Sequence, residues 1–583
     1  MEQTRQASTH RTADTLRRWL GLLLAASAAV VPALATTALA ADPPKRPNIL
    51  LIVADDMGYA DIGSYGGEIR TPNLDALAAR GVKATNFYVG PTCSPTRSMM
   101  LSGVDNHVAG LGNMDEYAGP RQKGKPGYEG HLNDRVASMA QVLRDGGYHT
   151  YMAGKWHLGE EPKSWPAAKG FERDFTLMQG GGSNWDDMGY PHPGHPNLTY
   201  SLNGKPLDKL PAGHFSTQAF TDFIINSVDE QKADGKPFFA YLSYQAVHSP
   251  FAVPEDWLDR YKGQYDQGYE ALRAARIARM KEMGLIAKDA TAFPRLPQVA
   301  AWDTLTPEQK KVMARRMEVY AAMLENMDSH IGRVLNHLKQ NGQLDNTLVI
   351  VLSDNGAEPL ELLELAQKVD PRMRAWLEKN WDTRPEACGR PKSVCDYGAA
   401  WAQAGSGPFR FFKGWVAEGG IRVPLIVAGP GVKSGGEATD ALLHVTDFAP
   451  TLFEVAGVQH PSVTNKKLAP LAGKSMMPVL SGKADRVRGE KDWLGWELFG
   501  NRAIRQGDWK LVSIVKGAGG SGEWELFNLK SDPGETRDLA KSQPAKRAEL
   551  LAHWNEYAKK NGVILTDDGP FKSQSDPTTV TSD

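Results

Sequence analysis

Short apolar runs alternate along this chain with stretches of helical periodicity. Ile49 to Val53, His149 to Met152, Phe238 to Leu242, Thr347 to Leu352 and Leu425 to Val427 read as strands of a buried sheet, since little in them marks a solvent face. Helical patterns lie between them. Thr71-Pro72 offers an N-cap and a first-turn proline for a helix that runs to Arg80 and stops at Gly81. Further helices are predicted over Val136 to Arg144, Met317 to Gln340 and Thr446 to Val455. Strands separated by helices predict an α/β fold: a large mixed, mostly parallel sheet sandwiched by helices. Ligands of such sheets bind beyond the carboxyl ends of the strands.

Nearer the C-terminus the pattern changes. Trp493 to Phe499, Asn501 to Ile504, Trp509 to Ile514 and Trp524 to Leu529 are short, aromatic-rich segments joined by turn residues. They predict an antiparallel meander, with a helix over Ala545 to Lys559 packed on it. A length of 583 residues agrees with one large domain and a smaller α+β domain.

The first residues follow neither pattern. Arg5, Arg11, Arg17 and Arg18 make a basic start, Leu20 to Val31 is apolar, and Ala38-Leu39-Ala40 supplies small residues before Ala41. These are the three parts of a secretory signal peptide over residues 1–40, so the mature protein is expected to be exported, periplasmic or secreted. Arg17-Arg18 permits a twin-arginine route through the export machinery. Composition is that of a soluble globular protein, 41% apolar and 23% charged. A formal net charge of −1 gives no reason to expect nucleic acid as a partner, and no later apolar run is long enough to hold the mature form in a membrane. Of three cysteines, Cys388 and Cys395 are close enough to bridge in an oxidising compartment, although spacing alone leaves the geometry open. Cys93 is left without a partner.

Candidate chemistry gathers where apolar runs end. Asp55-Asp56 closes one and Asp354-Asn355-Gly356 another. Adjacent carboxylates near a core repel and lose water, a conflict that a divalent cation removes. Oxygen-only ligands suit Ca²⁺ or Mg²⁺; turn and cap roles are the structural alternative. In Cys93-Ser94-Pro95-Thr96-Arg97, Pro95 sets a helix start and one turn brings Arg97 to the face of Cys93. Lys155 and His157 alternate within Gly154 to Gly159, so in extended chain they point the same way. His248 follows another strand, and Lys413 precedes Glu418-Gly419-Gly420. Together these groups suit a tetrahedral oxyanion whose leaving group must be protonated. Trp156, Tyr244 and Trp415 are aromatics that would face an aryl group or simply pack, and the Gly/Pro/His-rich stretch from Gln179 to Leu202 is a candidate substrate loop.

Cys93 to Arg97 matches the C-x-P-x-R signature of the type I sulfatases, within the alkaline phosphatase superfamily, and Gly154 to Gly159 matches their G-K-W-H-L-G signature. Val53 to Asp56 and Ser353 to Gly356 resemble the metal-binding segments of that family, and the resemblance, from about Arg46 onward, is strongest to the pseudomonad-type arylsulfatases. It implies a sulfatase domain over residues 41–485 and a small C-terminal sheet domain over 486–583. It implies hydrolysis of small sulfate esters, aryl sulfates among them, by a formylglycine made from Cys93 by a formylglycine-generating or equivalent maturation enzyme. Asp55, Asp56, Asp354 and Asn355 would bind Ca²⁺, with Mg²⁺ as the alternative. Arg97 would hold the formylglycine hydrate, Lys155, His248 and Lys413 the sulfate and leaving oxygen, and His157 would be the base that expels sulfate. If Cys93 is converted before export, a route that carries folded protein is required. The competing readings are a phosphonate monoester or phosphodiester hydrolase of the same superfamily and an inactive sulfoglycan-binding protein.

Overall fold

The structure, a computed structural model, describes residues 46–566. The expected signal peptide lies outside the described residues.

The strands are β1 (Asn48–Ala54), β2 (Val82–Ala84), β3 (His149–Lys155), β4 (Arg173–Leu177), β5 (Tyr200–Leu202), β6 (Lys205–Leu207), β7 (Phe238–Ser243), β8 (Thr347–Ser353), β9 (Leu425–Ala428) and β10 (Glu437–Thr439). They form one sheet in the order β10-β2-β9-β8-β1-β7-β3-β4-β5-β6. The centre, β8-β1-β7-β3-β4, is parallel, and β9, β5 and β6 run antiparallel to neighbours. This is the mixed, mostly parallel sheet that the sequence pattern predicts.

Strand β1 is buried on both faces because each face is covered by helices. Leu50 and Ile52 join the core beneath α1 (Pro72–Arg80), α3 (Ser216–Gln231) and α4 (Pro307–Gln340). Ile49, Leu51 and Val53 join the core beneath α2 (Cys93–Ser102) and α7 (Phe448–Ala456). Helix α4 starts ten residues before the Met317 expected from periodicity. Lys310, Lys311, Arg315 and Arg316 dilute its apolar stripe, and a capping box sets the true start: Gln309 N–H donates to Thr306 Oγ1 at 3.2 Å while Thr306 N–H donates to Gln309 Oε1 at 2.9 Å.

The aromatic segments form the expected meander, β11 (Trp493–Leu498), β12 (Asn501–Gln506), β13 (Trp509–Ser513) and β14 (Glu525–Asn528), each antiparallel to the next. One face, with Ile504, Leu511 and Leu526, packs on Leu550 and Trp554 of α8 (Pro544–Asn561). The other, with Ala503, Val512 and Phe527, is continuous with the core of the main sheet. Polar ties cross the same junction: buried Lys510 reaches Glu418 at 2.9 Å and Glu535 at 3.0 Å, and Trp496 Nε1 donates to the Val89 carbonyl at 2.9 Å. Cys388 and Cys395 are bridged.

Candidate active site

The register of the central strands builds the site. Ala54 of β1 lies opposite Ser353 of β8, so the next residues, Asp55 and Asp354, leave the sheet side by side. Gly154 of β3 lies opposite Ser243 of β7, which puts Lys155 at the same edge. Asp56 turns away from the strand path at φ +64°, a left-handed conformation that costs a non-glycine residue energy and is retained where a site requires it.

Helix α2 begins at Cys93, and the whole helix is buried. Cys93 Sγ lies 3.5 Å from Asp55 Oδ1 and 3.9 Å from Asp56 Oδ1. One turn on, Arg97 binds Asp354 Oδ2 through Nε at 2.9 Å and Nη2 at 2.7 Å, and its Nη1 donates to the Lys155 carbonyl at 2.9 Å and to Ser243 Oγ at 2.5 Å. Lys155 Nζ meets Asp55 at 2.7 Å, and Lys413 Nζ meets Asp56 at 2.8 Å. His248 Nε2 is 3.5 Å from Asp56, and its Nδ1 donates to the Ser249 carbonyl at 2.5 Å. Nine of the ten residues singled out from sequence thus form one contact network.

His157 sits differently. Strand β3 runs through Lys155, and His157 then takes φ +56°, so the two do not alternate in extended chain as expected. Lys155 turns to Asp55, whereas His157 Nε2 meets Glu116 at 3.1 Å and its Nδ1 is buried with no partner. His157 nevertheless lines the same cavity as Cys93, His248 and Lys413.

Burial alone would raise the Asp55 carboxyl, but Lys155, then His248, Arg97 and Lys413, outweigh it and hold it well below the carboxylate range. Burial, then Glu358, pushes the Asp56 carboxyl up against the pull of Lys413. Burial also raises the Cys93 thiol, which stays neutral and is a poor nucleophile as encoded. Burial dominates at His248 and lowers its pKa.

Four carboxylates (Asp55, Asp56, Asp354, Glu358) face three permanent cations (Arg97, Lys155, Lys413). A divalent cation would offset part of the charge of these carboxylates. The donor set fits such an ion: ligand atoms of Asp55, Asp56, Cys93 and Asp354 all lie within 4.8 Å of one another. Asn355 Nδ2 donates to Asp56 at 2.5 Å, while its Oδ1 is buried without a partner and free to bind a cation.

Two residues of the site were not read from sequence. Glu358 accepts from Lys413 at 3.1 Å and lies 3.7 Å from His248; its place four residues after Asp354 was a usable signal. Glu116 lies in a single 3-10 turn, Asp115–Tyr117, with no such signal. The three suggested aromatics do not face the cavity: Trp156 donates to the Ser164 carbonyl, Tyr244 bonds Thr221, and Trp415 donates to the Ala518 carbonyl. Burying their polar ends required those partners. The stretch from Gln179 to Leu202 does reach the cavity, through Gly180 to Gly182 and Tyr190 to His192.

The family model described as sulfatase matches residues 47–458, and one described as the C-terminal part of N-sulphoglucosamine sulphohydrolase matches residues 407–560. The chain therefore belongs to the sulfatase family, within the alkaline phosphatase-like superfamily. It is similar to an uncharacterized sulfatase of Schizosaccharomyces pombe, at 41% identity over 90% of this chain and 95% of that one. It is also similar to an arylsulfatase of Klebsiella aerogenes, at 40% identity over 76% of this chain and 94% of that one. Among solved structures, that of Ps i-CgsB with a neocarrahexaose shares the fold, with a TM-score of 0.63 and 23% identity over 88% of this chain and 93% of that one. The protein is a sulfuric ester hydrolase.

Proposed function

We propose that this protein hydrolyses aryl sulfates through a formylglycine hydrate derived from Cys93. The observation that carries this reading is the place of Cys93: at the first turn of α2, 3.5 Å from Asp55, with Arg97 one turn on. A thiol there would be trapped as a stable S-sulfated cysteine. A hydrated aldehyde has two hydroxyls, so one can attack and the other can later be deprotonated.

In the first step one hydroxyl of the hydrate forms a bond to sulfur as the S–O bond to the leaving group breaks. Arg97, already bonded to Asp354, would hold the hydrate beside the carboxylates. Lys155, Lys413 and His248 would bind the sulfate and steady the leaving oxygen, which departs with its bonding electron pair and takes up the proton released by the attacking hydroxyl. In the second step His157 would take the proton of the remaining hydroxyl, sulfate would depart with its bonding electron pair, and the aldehyde would re-form and take up water. Asp55, Asp56, Asp354 and Asn355 would hold Ca²⁺, or Mg²⁺, which when bound supplies Lewis-acid polarisation of the reacting oxygens. A sulfate monoester carries one negative charge, which Lys155 and Lys413 would meet.

The partners of this reading are a small sulfated substrate, a maturation enzyme that oxidises Cys93, and the export machinery. Among the described residues no helix is long and apolar enough to cross a membrane, and the Cys388–Cys395 bridge supports an oxidising destination. N-terminal sequencing of the protein from a periplasmic fraction is expected to begin at Ala41; a start at Met1 would overturn export by cleavage. A phosphodiester also carries one negative charge, so the decisive experiment compares kcat/KM for para-nitrophenyl sulfate with that for a para-nitrophenyl phosphodiester. The sulfate is expected to be preferred, and a clear phosphodiester preference would sink the reading.

A further inference from the structure

Opposite the strand ends, the cavity is closed by a helical hairpin, α5 (Leu362–Val369) and α6 (Pro371–Asn380). It contributes Leu362, Leu365 and Met373 to the cavity wall, and the loops facing it contribute Tyr117, Tyr190 and Pro191. The hairpin has its own small apolar cluster around Ala366, Leu377 and Trp381, separate from the cores on the two faces of the sheet. It is pinned where α5 begins: Arg316 binds Glu361 at 2.9 Å, and the Leu362 N–H donates to Asp396 at 2.8 Å. Across the mouth, Trp381 packs on the opposite loop so closely that a Cβ on Gly189 would lie 3.2 Å from its ring.

The two sides of the cavity differ in chemistry. Lys413, His157 and His248 stand on the strand-end side, beside Cys93, and His192 on the facing loop. The hairpin residues that line the cavity, Leu362, Leu365 and Met373, carry no charge, and Glu116 and Glu358 are the acids that line it. The cavity is also small, about 160 Å³. Cys93, His157, His248 and Lys413 line this same space, so the sulfate takes up part of it and little is left for the leaving group, whereas sites for larger ligands run from about 300 Å³ upward.

Building on the sulfatase reading, we infer that the α5–α6 hairpin is the specificity element, and that it selects monosulfate esters whose leaving group is apolar, uncharged and about one ring in size. Leu365 and Met373 bind that ring. A substrate with a carboxylate or a second sulfate loses affinity, because its extra charge would be desolvated against the apolar wall that the hairpin supplies. Binding of the ring is the same in ground and transition states, so its loss appears in KM.

The test compares the metal-loaded protein with Leu365→Ser and Met373→Arg on para-nitrophenyl sulfate, para-carboxyphenyl sulfate and a glucosamine sulfate. Leu365→Ser is expected to raise KM for para-nitrophenyl sulfate about tenfold with kcat nearly unchanged, the usual scale for lost apolar contacts. Met373→Arg is expected to raise the ratio of kcat/KM for the carboxyphenyl over the nitrophenyl ester by about tenfold, through the new charge partner. Melting curves show whether each variant stays folded, and an unfolded Met373→Arg is replaced by Leu365→Lys with the same expectation. An active wild type whose substrate ratios are unmoved by these variants, or which prefers the glucosamine sulfate, overturns the hairpin inference alone. A wild type inactive on every sulfate ester overturns the sulfatase reading beneath it.

Discussion

The two sides of the cavity are built in opposite ways. The sulfate side is the rim of a rigid sheet. Register sets its side chains within hydrogen-bond distance of one another, and Asp55, Asp56 and Asp354 are each held by a partner of opposite charge. The leaving-group side is made of loops and a helical hairpin with its own small core, pinned at Glu361 and Leu362 and leaning on Gly189. Chemistry that cannot tolerate misplacement sits on strand ends, and selection among substrates sits on segments free to vary. Substitutions on the first side should therefore abolish turnover, and those on the second should only redirect it.

The largest effects belong to the rim. Cys93→Ala should abolish sulfate-ester turnover while leaving the melting temperature close to wild type. Asp354→Ala removes the partner of Arg97 and a cation ligand at once. It should lower kcat/KM at least about a thousandfold, the scale of losing a transition-state contact, and elemental analysis should show bound metal lost with activity. Full activity in either variant refutes the assignment.

An intermediate effect is expected where loop meets rim. A Cβ on Gly181 would lie 2.9 Å from His248 Nδ1, and one on Gly180 would lie 2.8 Å from the His157 ring. Gly181→Ala should displace His248 by a few tenths of an ångström or more and lower kcat about tenfold to a hundredfold, and the φ of +154° at Gly181 should lower the melting temperature as well. An unchanged kcat would show that the loop yields freely.

The smallest effect concerns how the loop side is held. Buried His107 lies just before the loop that supplies Met114, Glu116 and Tyr117, and it bridges Asp105 at 2.8 Å and Glu497 of β11 at 3.4 Å. Burial opposes its protonation, but Asp105 and Glu497 prevail and raise its pKa from 6.5 to about 9. A group whose pKa is raised by folding adds stability that is complete below about pH 6.5 and lost as pH rises through about 9. Such a shift corresponds to about 3 kcal/mol at most. The melting-temperature gap between wild type and His107→Gln should be widest near pH 6 and shrink above pH 9, while the metal content of both stays the same. A gap independent of pH would place no charge on His107.

The same contrast explains what the sequence made legible. Strands β1, β7 and β8 are contiguous apolar runs buried on both faces, so their ends, and with them Asp55, Asp56, Asp354 and Asn355, could be read directly. Cys93 and Arg97 fall on one face of one helix, a local relation that spacing reveals. Lys155 was found, but the path of His157 was not, because a left-handed residue in the chain breaks the alternation that period-two reading assumes. Helices α5 and α6 went unread: they are only eight and ten residues long, and they pack mainly on each other rather than on the large core. Glu116 and Tyr117 meet the cavity only through tertiary folding of a loop, and no spacing rule records that.

Turnover depends on what residue 93 becomes. Mass spectrometry of the peptide containing position 93, from protein purified with full sulfate-ester activity, measures it directly. An aldehyde or its hydrate in place of the thiol is the predicted result. A fully active protein in which position 93 is entirely unmodified cysteine would contradict it.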